Sequence, residues 1–169
     1  MADDCLCFRV RRVSRALTRL YDEALRPVGI QATQLTVLNA IALLEVRDAP
    51  MSELADVLAM DLTTLSRDLR PLKEAGLVRA ERSKADGRVR LIRLTDEGRR
   101  MLERALPAWI AAHERVVAAL GSGLAASLKH DFDAAVAAAG TADDDADTSV
   151  PVDPNPSESE KGDGTYDGT

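Results

Sequence analysis

The stretch Thr63–Val78, TTLSRDLRPLKEAGLV, decides the fold. With Leu62 before it, leucines fall at 62, 65, 69 and 72, the three-and-four spacing of a helix with one buried face. Asp61 stands where an N-cap belongs, and Gly76 where a helix ends in the left-handed region. The spacing therefore predicts a helix over 62–75. Its other side presents Thr63, Thr64, Ser66, Arg67, Arg70 and Lys73. Pro71 lacks an N–H and suggests a bend near Arg70.

Just upstream, Ser52 caps a shorter predicted helix, 53–59, with Leu54, Ala55 and Leu58 inward. Only Met60-Asp61 separates the two helices, which is the spacing of a helix-turn-helix. Just downstream the period changes. Residues 77–82 and 89–94 read as short strands around Asp86-Gly87, a hairpin signal. The hairpin tip carries Lys84, Arg88 and Arg90, with Asp86 placed to brace Arg88 across the turn.

Farther out the chain is helical. Residues 5–26 carry Val10, Val13, Leu17, Leu20 and Ala24 on one face, with Arg11, Arg12, Arg15 and Arg19 between them. Residues 33–45, capped by Thr33, bury Leu35, Leu38, Ile41 and Leu44. Thr95, followed by Asp96 and Glu97, opens a helix reaching about residue 120, with a bend expected at Pro107. A last helix, about 124–139, aligns Leu124, Leu128, Phe132 and Val136. The fold class expected is mainly α with a small β-hairpin wing: a winged helix-turn-helix (31–95) between dimerisation helices at 1–30 and 96–140.

The charge of −6 is unevenly spread. Residues 141–169 hold nine acids against one lysine and scarcely an apolar side chain, so they read as a disordered acidic tail. The remainder carries +2, and residues 79–93 and 8–26 each carry +4. Phosphate contacts act locally, so such patches matter more than the total. Two cysteines are too few for a disulfide framework, and neither a secretory signal nor a membrane-length apolar run is visible. A cytoplasmic protein is expected.

A helix presents side chains to base edges in the major groove of B-DNA, where arginine grips guanine bidentately and threonine meets a thymine methyl. In helix-turn-helix docking the N-terminal half of the second helix enters the groove. An arginine-tipped arm suits the narrow, negative minor groove. The pattern thus points to double-stranded DNA through Thr63, Thr64, Ser66, Arg67, Arg70, Lys73, Lys84, Arg88 and Arg90.

These residues also carry a likeness. TTLSRDLRPLKEAGLV (Thr63–Val78), RSKADGRVRLIRLTDEG (Arg82–Gly98) and ATQLTVLNAI (Ala32–Ile41) resemble the MarR family of bacterial and archaeal regulators, over about residues 5–139. The resemblance implies a homodimer on a pseudo-palindromic operator, usually a repressor, released in many relatives by a small, often aromatic effector. It assigns no role to the acidic tail. Two-fold symmetry would double the contacts and set the half-sites about one helical turn apart.

The remaining residues carry weaker signals. Cys5 and Cys7 suggest a redox-responsive alternative of the same fold, since some relatives sense peroxides through cysteine. Residues two apart do not share a helix face, so a bridge between subunits is the easier bond, and simple packing at the N-terminus is the plainer reading. His113 and His130 have no partners at metal-ligand spacing, so neither a metal site nor a cofactor is expected. Trp109 and Phe132 suit core or interface, and Trp109 or Tyr21 is a candidate for lining an effector cavity. No phosphate loop, placed nucleophile or metal cluster points to an enzyme.

Overall fold

A computed structural model describes residues 5–45, 50–84 and 86–146. The chain forms two compact units, one through Lys129 and one from His130. In order, the elements are α1 (Leu6–Leu25), a 3-10 turn (Arg26–Val28), α2 (Ala32–Glu45), α3 (Met51–Val57), α4 (Leu62–Glu74), β1 (Val78–Arg82), β2 (Arg90–Leu94), α5 (Asp96–Leu120) and α6 (Ser122–Ala146). The expected winged helix-turn-helix is present. Among the described residues, no single helix is long and apolar enough to cross a membrane.

The core sits between α2, α4 and the hairpin. Leu38, Ile41, Leu65, Leu69, Leu72 and Leu94 are almost wholly buried, and Leu25 of α1 and Ala105 of α5 join the same cluster. Full burial of one leucine contributes roughly 1.5–3 kcal/mol, so this cluster is the main support of the α2–α4–hairpin arrangement. β1 and β2 pair antiparallel, with Val78 opposite Leu94, Ala80 opposite Ile92 and Arg82 opposite Arg90. Pro50 adds an isolated bridge to Leu91, a third edge that the spacing of the strands did not announce.

Several local expectations are corrected. Leu62 is 52% exposed and lies outside the buried stripe, because the first helical residue sits on the rim of the face that Leu65, Leu69 and Leu72 bury. Thr33 does not cap α2. It lies inside the helix, and the N–H groups at the entry are taken by others: the Ala32 N–H donates to Asp22 Oδ1 (2.7 Å) and the Gln31 N–H to Gln34 Oε1 (3.1 Å). Ser52 does not cap α3, which starts at Met51, two residues before the expected start, directly after Pro50. The extended φ and ψ of Pro50, −68° and 162°, set the entry in place of a side-chain cap.

The helices α4 and α5 continue through Pro71 and Pro107, respectively. Both prolines are exposed, so the carbonyl each leaves without an N–H partner lies on the solvent side of its helix. α6 runs to Ala146, past the expected end, so 141–146 are helical where the tail reading had them disordered. Alanine-rich helix propagates at little cost per residue once nucleated. The rest of that reading, residues 147–169, lies outside the described residues. Val10 and Val13 are 42% and 44% exposed, because only the C-terminal half of α1 packs inward in the single chain.

Candidate nucleic-acid interface

The turn between α3 and α4 is built by backbone geometry. The Ala59 N–H donates to the Asp56 carbonyl (3.0 Å) and the Met60 N–H to the Ala55 carbonyl (2.9 Å), which closes α3 with Ala59 in the left-handed region at φ 50°. Asp61 then caps α4. Its carboxylate accepts the Thr64 N–H (2.8 Å) and the Thr64 hydroxyl (2.6 Å). The Thr64 hydroxyl bond is the main reason the Asp61 pKa lies below the usual aspartate value. The far end of α4 closes in the same way as α3: Gly76, at φ 69°, donates to Lys73 and Leu77 to Leu72.

Between these caps, Leu65, Leu69 and Leu72 anchor one side of α4, so the opposite side faces outward. Thr63, Ser66, Arg67, Arg70 and Lys73 are all exposed. Their commitments differ. Arg67 is 77% exposed at its side chain, with only a long 3.9 Å approach to its neighbour Asp68. Arg70 is held by Glu74, one turn on, at 2.9 Å, and that carboxylate keeps its guanidinium more firmly protonated. Thr64 is half-buried and spends its hydroxyl proton on the cap, so it belongs to the helix start more than to the outward face.

The hairpin strands are joined by residues 83–89. The hairpin expected around Asp86-Gly87 is formed. Asp86 opens a turn whose Val89 N–H donates to the Asp86 carbonyl (3.0 Å), while the Ser83 N–H donates to the Val89 carbonyl (2.9 Å). The Asp86 carboxylate accepts the backbone N–H of Arg88 at 2.9 Å. It therefore braces the Arg88 backbone and leaves the guanidinium's direction open, because a short aspartate satisfies a nearby N–H more readily than a distant side-chain tip. Lys84, Arg88 and Arg90 are exposed. Sequence reasoning missed Arg82, also exposed and directly across the ladder from Arg90. Like charges in that relation repel. The signal was available in the strand register.

The base of the hairpin is locked by a charged network. Glu81 accepts Arg79 Nε (2.6 Å) and Arg93 Nε (3.2 Å). Chiefly through Arg79, its pKa is held below the usual glutamate value. Arg93 also donates from Nη1 to the Glu45 carbonyl at the end of α2 (3.1 Å), and the Glu45 carboxylate pairs with Arg99 of α5 at 2.8 Å. The wing is thus tied to α2 and α5 at its root, while the tip cations Lys84, Arg88 and Arg90 have no carboxylate partner among the described residues.

Between α2 and α5, a groove of about 290 Å³ is lined by Leu35, Asn39, Leu102, Leu106 and Trp109. The Trp109 indole stacks on the His113 imidazole (centroids 5.0 Å apart, 5° between planes), and the Tyr21 hydroxyl lies 3.2 Å from His113 Nδ1. Burial pushes the Tyr21 phenol pKa up. Trp109 lines the groove; Tyr21 does not, but stacks on Trp109 with ring centroids 6.5 Å apart. Cys5 and Cys7 are exposed at the start of α1.

Comparison with known proteins bears on this arrangement. The MarR family model matches residues 28–89, which span α2 to the hairpin tip. The organic hydroperoxide resistance transcriptional regulator of Bacillus subtilis is 31% identical over 101 residues, 60% of this chain and 67% of the relative. The M. tuberculosis transcriptional regulator MosR, solved in complex with DNA, is 36% identical with a TM-score of 0.73, over 82% of this chain and 98% of that one. A mutant MarR of E. coli, solved with operator DNA, is 27% identical with a TM-score of 0.67, over 77% of this chain and 92% of that one. The chain belongs to the MarR family of transcriptional regulators.

Proposed function

We propose that this chain is a homodimeric, sequence-specific repressor rather than an enzyme. In this reading Thr63, Ser66 and Arg67 read base edges in the major groove, and Arg70 and Lys73 meet phosphates. Thr64 sets the start of the reading helix. Lys84, Arg88 and Arg90, joined by Arg82, reach the adjacent minor groove. The observation that carries the reading is the outward face of α4, polar, exposed and capped by Asp61, next to a hairpin whose tip cations have no carboxylate partner among the described residues. Its likeness to MosR, solved with DNA, supports it.

A second copy is the natural cover for the apolar side chains left open at both ends of the chain. Leu6, Phe8, Val10 and Val13 of α1 and Leu124, Phe132 and Val136 of α6 are each between 39% and 69% exposed. Two copies would carry two reading helices to the half-sites of a pseudo-palindromic operator. The groove beside Trp109 is the seat we assign to a small aromatic effector. Its size is near the lower end for ligand pockets, and it is mainly apolar with one amide, Asn39.

The experiment is selection of bound duplexes from genomic fragments, followed by a salt titration on the selected sequence and a mass measurement in solution. A dimer with a steep salt dependence and a two-fold operator supports the reading. A monomer indifferent to every duplex overturns it.

A second reading is favoured by the two exposed thiols and by the name of the B. subtilis relative, a regulator of organic hydroperoxide resistance. In it, oxidation of Cys5 or Cys7 weakens DNA binding. The Cys5→Ser, Cys7→Ser double variant should then bind the operator equally before and after peroxide. A double variant that still responds as the parent does would end this reading.

A further inference from the structure

On the footing of the DNA reading, we infer that Arg82 and Arg90 form a clamp for a single backbone phosphodiester, each guanidinium taking one of its two unesterified oxygens. Lys84 and Arg88 at the tip reach the minor groove, and the pair behind them grips the strand that borders it.

The hairpin carries two rungs of facing arginines. Arg79 stands opposite Arg93, and three residues along the strand Arg82 stands opposite Arg90. Side chains alternate between the faces of a ladder, so the two rungs lie on opposite faces. On the first face one oxyanion reconciles the like charges. Glu81 Oε1 accepts Arg79 Nε at 2.6 Å, and Glu81 Oε2 accepts Arg93 Nε at 3.2 Å. A group with two anionic oxygens thus bridges two facing guanidiniums, one oxygen to each. Glu81 shares its face with Arg79 and is turned away from Arg82 and Arg90.

The second rung has no such bridge within the hairpin. Arg82 and Arg90 are exposed, and neither has a carboxylate partner among the described residues. Asp86, the acid of the connecting loop, engages the Arg88 N–H at 2.9 Å. One step nearer the tip, the Ser83 N–H donates to the Val89 carbonyl. Facing pairs alternate between hydrogen-bonded and non-hydrogen-bonded, so Arg82 and Arg90 occupy a non-hydrogen-bonded position, where α-carbons approach to about 4.5 Å. The two guanidiniums therefore share one face at close range and repel. A phosphodiester answers both needs. It brings one negative charge and two equivalent oxygens, which suit two planar forks. In duplex DNA it also borders the groove that an arginine-tipped arm enters. Residues 82–90 hold four cations and one acid, a balance that favours a polyanion over a single carboxylate.

The test uses the full chain and the selected operator duplex, with one uncharged methylphosphonate placed at each backbone position in turn. At one position per half-site the substitution should weaken the parent about tenfold, the worth of a charge-assisted hydrogen bond. The Arg82→Gln, Arg90→Gln variant should lose about tenfold per half-site on the unmodified duplex. It should be indifferent to the methylphosphonate at that position and keep the parent's response to all others. Its salt slope should be smaller by about one per half-site rather than two, because the slope counts phosphates and not arginines. Circular dichroism checks that the variant is folded; if it is not, Arg82→Thr, Arg90→Thr, with side chains suited to a strand, takes its place. Two sensitive positions per half-site, one silenced by each single substitution, would mean that the arginines act apart, and overturn the clamp. A double variant as sensitive as the parent at every position also overturns it and leaves the DNA reading standing. A parent that binds no duplex overturns both.

Discussion

The α-carbon of Gly98 lies directly against the carbonyl oxygen of Leu77, with no space for a side chain between them. That oxygen also accepts the Thr95 N–H at 3.0 Å. The Thr95 hydroxyl donates to the Gly76 carbonyl (2.6 Å) and accepts the Gly98 N–H (3.0 Å). The exit of α4, the root of β1 and the entrance of α5 are thus one junction. Through it, the orientation of the outward α4 face is referenced to α5, the helix that carries Trp109.

Gly98→Ala places a methyl group inside the Leu77 carbonyl. The obstacle is backbone, so a rotamer change gives no relief, and the cost is expected at about 2–3 kcal/mol. Urea unfolding should show a lower midpoint with an unchanged slope. A midpoint equal to the parent's would show that α5 can slide away freely and that the junction is not a fixed reference.

Ala59 makes the opposite prediction. It is the one non-glycine among the described residues with positive φ, at 50°. A β-carbon is disfavoured there by roughly 1 kcal/mol, partly offset by the greater unfolded-state freedom of glycine. Ala59→Gly should therefore stabilise by a few tenths of a kcal/mol up to about 1, with operator affinity unchanged. Destabilisation would mean that the Ala59 methyl packs usefully in the turn.

Much of this architecture was legible because its elements carry strong local marks. The leucines of α4, the cap at Asp61 and the glycine at 76 each specify the same helix, and the change to strand spacing after Leu77 specifies the hairpin. Features set by long-range contact were not legible. Nothing near Ala32 in sequence announces that Asp22, ten residues back, will take its N–H. Arg93 reaching the Glu45 carbonyl joins positions 48 apart. At the site, exposure of the α4 face followed from periodicity. How far each cation is committed did not, since Arg67 and Arg70 look alike in sequence and only Arg70 has a close carboxylate.

That difference separates two variants. Arg67, without a close partner on its own helix, is free to grip a base, so Arg67→Ala should lower operator affinity about ten- to a hundredfold and relax base preference at one position of each half-site. Arg88, on the hairpin tip, should act on phosphates or the groove potential. Arg88→Ala should weaken binding to specific and random duplexes alike, with a salt slope smaller by about one. Competition binding against single-base operator variants, at three salt concentrations, checks both. Unchanged affinity and slope in both variants would point to a winged helix used for protein contacts.

Acid should loosen the wing and the helix caps together. Asp61, Glu81 and Glu97 all have pKa values below their ordinary 3.8 and 4.5, through Thr64 for Asp61, Arg79 and then Arg93 for Glu81, and Arg100 and Arg104 for Glu97. A carboxylate with a depressed folded pKa stabilises the fold fully above its unfolded pKa. As pH falls through the ordinary range the unfolded chain takes up protons first, and the stabilisation drains away until the folded pKa is passed. Thermal midpoints should therefore be nearly flat from pH 8 to 6 and fall below about pH 5. Asp61→Asn keeps a capping oxygen without a titrating one, so its curve should be shallower in acid. Glu81→Gln should also flatten the curve, at the cost of a lower midpoint at neutral pH, where Arg79 and Arg93 lose their shared carboxylate. Curves parallel to the parent's in both variants would mean that these carboxylates are equally satisfied in the unfolded chain.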